Sequence, residues 1–221
     1  MDVHKVRRAH VSRLDTHSRR RQIVQAVLDI VADRGPAEVT IGGVARRVGL
    51  VPSAVYRHFR SKDDLLDAVL EFLRSELLAN VETVRGQSAD ARQRLYQLLM
   101  LHVRLIRENA ALPRLVLSEH AFSRRPERRR RLHAILREYL DAIARIVREG
   151  QSRGEIAPGL DPDTLAVMFL GLIQPAVILW HLSDGRFDVT HHARRAWRVF
   201  EQALSPPAES RPDPPSRSAT P

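Results

Sequence analysis

The sequence predicts an all-α protein, and three observations carry the prediction. Apolar residues recur at i, i+3, i+4 and i+7 along most of the 221-residue chain. Alternating strand patterns are nearly absent. Gly, Pro and capping residues interrupt the periodic stretches at lengths suited to helices. The expected arrangement is a three-helix N-terminal unit followed by a larger helical unit that completes a core and meets partners.

Residues 1–17 (MDVHKVRRAHVSRLDTH) show no sustained apolar face and read as a flexible basic arm. The first helix is expected from about Arg19 to Arg34, striped by Ile23, Ala26, Val27, Ile30 and Val31, with Gly35-Pro36 ending it. Thr40 is a good N-cap for a short second helix with Ile41, Val44, Ala45 and Val48 on one face, and Gly49 breaks it. Pro52 suits the first position of a third short helix that buries Val55, Tyr56 and Phe59. Ser61-Lys-Asp-Asp64 reads as a capping box opening a fourth helix to about Val84.

Beyond Gly86 the expected helices are longer. One spans roughly Ala89 to Glu108, a short one follows Pro113, and another runs from Pro126 to about Arg153. Asp161-Pro162 is a strong start for the apolar stretch that reaches Ser183, with a kink at Pro175. A last helix covers about Thr190 to Leu204. The Pro/Ser-rich residues 205–221 read as a disordered tail. The domain expectation is therefore an arm (1–17), a DNA-binding unit (18–64), an effector and dimerisation unit (65–204) and the tail (205–221).

Charge adds a direction. The chain has 36 basic and 26 acidic residues, a net of +10. Residues 1–65 hold 13 of the basic and 7 of the acidic residues, so the N-terminal end has the highest charge density. A polyanion near that end is the natural partner. No cysteine is present, which excludes thiolate metal sites and disulfides and fits a reducing, cytoplasmic setting. Leu165–Leu182 is apolar enough to raise the question of a membrane span, but Gln174-Pro175 at its middle favours a buried helix and no membrane partner. No His-Glu-x-x-His, Gly-rich phosphate loop, thiol nucleophile or Ser elbow is found, so neither an enzyme nor a cofactor or metal is expected.

Residues 40–62 (TIGGVARRVGLVPSAVYRHFRSK) place two short helices around a tight Gly-containing turn. That is a helix-turn-helix, whose second helix enters the DNA major groove while the first crosses the backbone. The segment resembles the DNA-binding domain of the TetR family of regulators. Gly35, Thr40, Val44-Ala45, Gly49, Tyr56-Arg57-His58-Phe59 and Lys62 carry the resemblance over about 45 residues. It departs at Val51, where the family usually has Ser or Thr, and at Ser53, where Gly is common. The resemblance implies a homodimer on double-stranded palindromic DNA, most simply a repressor released by a small-molecule effector. A structural nucleoid protein with no effector, or an activator, would use the same motif.

Residue by residue, Thr40, Tyr56, His58 and Lys62 are expected at phosphates, with a core aromatic as the alternative for Tyr56, and Arg46 and Arg47 lie on the phosphate flank or on a solvated face. Pro52, Ser53, Ala54 and Arg57 are candidates for reading bases, with Arg57 suited to guanine and Ala54 to a thymine methyl. Lys5, Arg7, Arg8, Arg13 and Arg19 to Arg21 either reach an adjacent minor groove or simply add non-specific affinity. For an apolar or aromatic effector the candidates are His102, Tyr139, Met168, Phe169, Gln174 and Trp180, with core packing as the alternative for each. Leu172, Ile178, Leu179, Trp197 and Phe200 are candidates for the dimer surface, or else finish the subunit core. The run RRPERRRR (124–131) reads as a solvated or acid-paired surface rather than a second nucleic-acid patch.

Overall fold

In the computed structural model the described residues are 3–86, 90–116 and 125–205, with side chains from residue 16 onward. They form ten α-helices and one 3-10 turn. These are α1 (Val3–Arg34), the turn Pro36–Glu38, α2 (Ile41–Val48), α3 (Pro52–Tyr56), α4 (Lys62–Arg85), α5 (Ala91–Glu108) and α6 (Ala111–Val116). Then come α7 (Pro126–Ser152), α8 (Pro162–Gly171), α9 (Gln174–Leu182) and α10 (Val189–Leu204).

Three boundaries differ from expectation. Helix α1 starts at Val3, so its backbone continues through most of the segment read as an arm. No Gly or Pro interrupts residues 3–34, and helix propensity carries the backbone through 3–17, which have no sustained apolar face. Helix α6 begins at Ala111, ahead of Pro113 rather than after it. Pro113 still lies in the first turn, where its missing N–H costs no bond. The apolar stretch is two helices, broken at Leu172-Ile173 rather than kinked at Pro175. Pro175 then sits in the first turn of α9, the position that proline tolerates. Most of the tail lies outside the described residues.

The caps explain where the other helices begin. The Thr40 hydroxyl accepts from Gly43 N at 3.0 Å, and the Asp90, Asp161 and Asp188 carboxylates accept first-turn amides of α5, α8 and α10. At α4, Ser61 Oγ accepts from Asp64 N at 3.1 Å, while Asp64 returns a bond to Arg60 N at 2.8 Å. The reciprocal bond thus falls one residue earlier than a capping box places it.

Helix α1 packs on α2 and α4, and α2 packs on α3. Helix α4 then runs on to pack against α5 and α7, while α5 also meets α10, and α7 meets α8. A continuous apolar core links the two parts, from Ile23, Val27, Val55 and Phe59 through Leu65 and Leu70 to Leu98, Tyr139, Phe169 and Phe200. At the far end α5 and α7 touch at Gly150. A Cβ there would come within 2.6 Å of the Ala91 Cβ and 2.8 Å of Ile156 Cδ1, so only glycine allows that approach.

Candidate nucleic-acid interface

The turn between α2 and α3 is built by its local sequence. Gly49 adopts φ +71°, a left-handed conformation that disfavours any Cβ. Its N–H bonds back to Arg46 O at 3.2 Å, and Leu50 N bonds to Ala45 O at 2.8 Å, which satisfies the end of α2. Val51 is extended and gives no side-chain cap, so the fixed backbone angle of Pro52 starts α3. Val55 and Phe59 are buried beneath α3. Pro52, Ser53, Tyr56 and Arg57 point outward, and Tyr56 is 54% exposed.

Ala54 corrects the reading of the exposed face. It is 7% exposed and so is not available to a thymine. Arg47 is also differently placed. Its Nη1 lies 2.9 Å from Asp33 and its Nε 3.7 Å from Asp29, both on α1, so it ties α2 to α1. Arg46 is exposed beside it. Lys62 Nζ donates to Ala37 O at 2.9 Å, which holds the ammonium against the loop that leads into α2. Two further donors remain on that ammonium. His58 is half-buried at the end of α3.

Arg20 is a positioning residue that the sequence did not reveal. Its guanidinium lies 4.4 Å from the Phe59 ring centroid, and Nη1 donates to His58 O at 2.8 Å. Helix α1 therefore pins the end of α3. The two residues are far apart in sequence, and no local pattern signals the pair. Arg21 pairs with Glu76 at 2.9 Å and Arg19 with Gln22, so this part of the basic stretch is used within the chain.

The candidates for an effector pocket do not converge. Tyr139 and Phe169 are fully buried, whereas Met168 and Gln174 face outward and Trp180 is half-buried. His102 and Tyr139 form an interior pair, with Nδ1 and the hydroxyl sharing a hydrogen bond at 3.2 Å. Burial pushes the His102 imidazole down to about 4, so it is neutral, and pushes the Tyr139 phenol up. A cleft of about 360 Å³ lies between α7 and α8, where Arg137, Leu140, Asp161, Thr164 and Met168 line it. None of the expected residues but Met168 reaches it.

The dimer candidates divide as well. Trp197 and Phe200 are each 4% exposed and complete the subunit core, where Trp197 packs on Tyr96. Their alternation with Arg194, Arg195 and Arg198 turns the apolar side of α10 inward. Leu172 is half-buried. Ile178 and Leu179 are exposed, and Val167, Met168 and Leu182 join them along the outer side of α8 and α9. Residues 162–182 are long and apolar enough to cross a membrane by composition, with a third of the stretch buried. Their inner side packs on α7 and α10 instead.

Two family models match the chain, one on each part. Residues 23–69 match bacterial regulatory proteins of the tetR family, and residues 88–204 match the tetracyclin repressor-like C-terminal domain. The chain belongs to the TetR family. It is a helix-turn-helix DNA-binding regulator, and proteins of this family bind DNA as dimers.

Among its relatives, the fatty acid metabolism regulator protein of Bacillus subtilis is 26% identical over 168 residues, covering 76% of this chain and 86% of that protein. The nucleoid occlusion factor SlmA of Aliivibrio fischeri is 27% identical over 189 residues, covering 85% and 96%. In fold the chain is similar to FadR from Bacillus subtilis solved with stearoyl-CoA, with TM-score 0.72, 23% identity and 83% and 98% coverage. It is also similar to a TetR/AcrR-family regulator from Thermobifida fusca, with TM-score 0.62, 25% identity and 83% and 97% coverage.

Proposed function

We propose that the chain is a homodimeric repressor that reads a palindromic operator and leaves it when a hydrophobic effector enters the C-terminal half. The observation that carries this reading is the outward set Pro52, Ser53, Tyr56 and Arg57 on α3, beside Arg46 and the capped start of α2. Arg57 fits a guanine edge through its paired donors, and Ser53 supplies a hydroxyl to a base or phosphate. Tyr56, His58, Lys62, Arg46 and the α2 start at Thr40 would hold phosphates.

Two subunits would meet through the outer side of α8 and α9. Val167, Met168, Ile178, Leu179 and Leu182 make an apolar stripe there that one subunit leaves in water. Such a dimer presents two α3 helices about one DNA turn (~34 Å) apart. For the effector, the likeness to a fatty acid metabolism regulator and to a structure holding stearoyl-CoA supports an acyl compound. The buried His102–Tyr139 pair is a polar group within the apolar interior that such an effector could meet.

A second reading is a chromosome-organising protein without an effector, favoured by the similarity to SlmA over 189 residues. Selection of bound fragments from the source genome at physiological salt separates the two. A strong palindrome beside one or a few genes supports the regulator, and many scattered sites support the second reading. The Leu182→Asp chain, sedimenting as a monomer and binding the same palindrome at least about tenfold more weakly, would support the dimer surface. A dimer that forms regardless would remove it.

A further inference from the structure

We infer that Arg128, in the C-terminal part, is a positioning residue for DNA binding that ties α7 to the first turns of α4. The inference rests on the chain being a DNA-binding regulator. It explains the Arg-rich run that the helix-turn-helix leaves unused.

Arg128 is 6% exposed, and arginine is almost never buried so far unless it is paired. Its Nε donates to Asp67 Oδ1 at 2.8 Å, and its Nη2 to Asp63 Oδ1 at 3.0 Å and to the Asp63 carbonyl at 3.3 Å. Arg125 Nη2 meets the second Asp63 oxygen at 3.0 Å. Farther along, Arg131 meets Glu71 at 3.2 Å, and Arg74 holds both Glu138 oxygens at 2.7 Å. On α4 the partners are Asp63, Asp67, Glu71 and Arg74, which share one helix face. The sign of the charges reverses at the last rung. A slip of α7 by one turn toward the start of α4 would bring Glu138 level with Glu71, which opposes the slip.

The rungs differ in what they join. Asp63 and Asp67 lie within the stretch that matches the DNA-binding domain, and Asp63 directly follows Lys62. Arg125 and Arg128 lie within the stretch that matches the C-terminal domain. The first two rungs therefore cross from one part to the other, while Arg74–Glu138 lies beyond residue 69. The planar guanidinium fork holds the two carboxylates in a fixed geometry through Nε and Nη2, which a lysine's compact ammonium does not reproduce.

Removing the charge does not strand a buried ion. The Asp63 and Asp67 side chains are 42% and 41% exposed, so water takes them over when the arginine goes. Arg128→Met keeps the apolar stem and should fold. What it loses is the fixed placement of the turn that carries Lys62.

The test compares Arg128→Met, Arg128→Lys and Arg74→Met with the wild type in operator affinity, and in amide hydrogen exchange of residues 65–69 without DNA. Arg128→Met should weaken operator binding about fivefold to tenfold and speed that exchange, with Arg128→Lys between it and the wild type. Arg74→Met should stay within about twofold in affinity. Equal losses in Arg128→Met and Arg74→Met would reduce the ladder to ordinary helix packing and overturn the inference. So would wild-type affinity or raised affinity in Arg128→Met. A wild type that selects no DNA, with exchange still faster in Arg128→Met, would overturn the regulator reading and DNA positioning with it, leaving only a structural tie.

Discussion

The helix-turn-helix and the C-terminal half place their exceptional residues on opposite sides of the chain. Around α2 and α3, Val55 and Phe59 are packed while Ser53 and Arg57 face out, with Val51 and Tyr56 exposed beside them. In the C-terminal half the order is inverted twice. A polar pair, His102 and Tyr139, is enclosed by the core, and an apolar stripe from Val167 to Leu182 faces water. A surface that meets DNA needs only outward donors on an ordinary module. The proposed dimer surface and the proposed effector interior both lie where the usual burial pattern is broken.

The largest effect that sharpens this contrast is expected at Phe59. Phe59→Ala empties a 1%-exposed site and removes the ring under Arg20, costing about 3–5 kcal/mol. Urea unfolding should show the loss, and operator binding should fail with it. A loss below about 1 kcal/mol would mean that this module does not depend on its aromatic core.

The next effect belongs to the interior pair and appears with pH. Unfolded His102 takes up its proton near 6.5, whereas the folded site holds it off until about 4. Between those values the unfolded chain binds more protons, so stability falls as pH is lowered through that window. The full contribution is about 3 kcal/mol. Denaturation midpoints followed from pH 7 to pH 4 should decline less steeply in His102→Gln; an identical decline would place the pH sensitivity elsewhere.

The smallest effect compares two caps. Thr40→Ala and Asp90→Ala each remove a first-turn acceptor, at about 1 kcal/mol of stability. Only the Thr40 change should also weaken DNA binding, since α2 begins at the proposed phosphate contact. If both variants bind operator equally well, the start of α2 is not part of the interface.

How much of this was legible in the chain follows from distance. Thr40, Gly49, Pro52 and Ser61 act on neighbours a few residues away, so their roles could be read directly, and the all-α class with them. The helices and turn of the helix-turn-helix came out as read, while Ala54 is buried and Arg47 pairs with α1. A helical pattern gives an approximate face for each residue but not the neighbour that covers it. Ala54 is buried although it shares α3 with the exposed Ser53, and Arg47 lies where α1 presents Asp29 and Asp33.

In the C-terminal half the same limit reaches further. Trp197 and Ile178 look alike as apolar residues in late helices, yet one fills the core and the other faces out. Arg128 and Arg130 are near neighbours in one arginine run, yet one is buried against α4 and the other is exposed. Local periodicity, caps and turn chemistry are properties of a few consecutive residues, and they determined the class, the helix order and the DNA-binding motif. Which side of α7 meets α4, what encloses His102 and which apolar side is left uncovered depend on residues tens of positions apart. Only the packed chain brings those together, so the tertiary structure decided them.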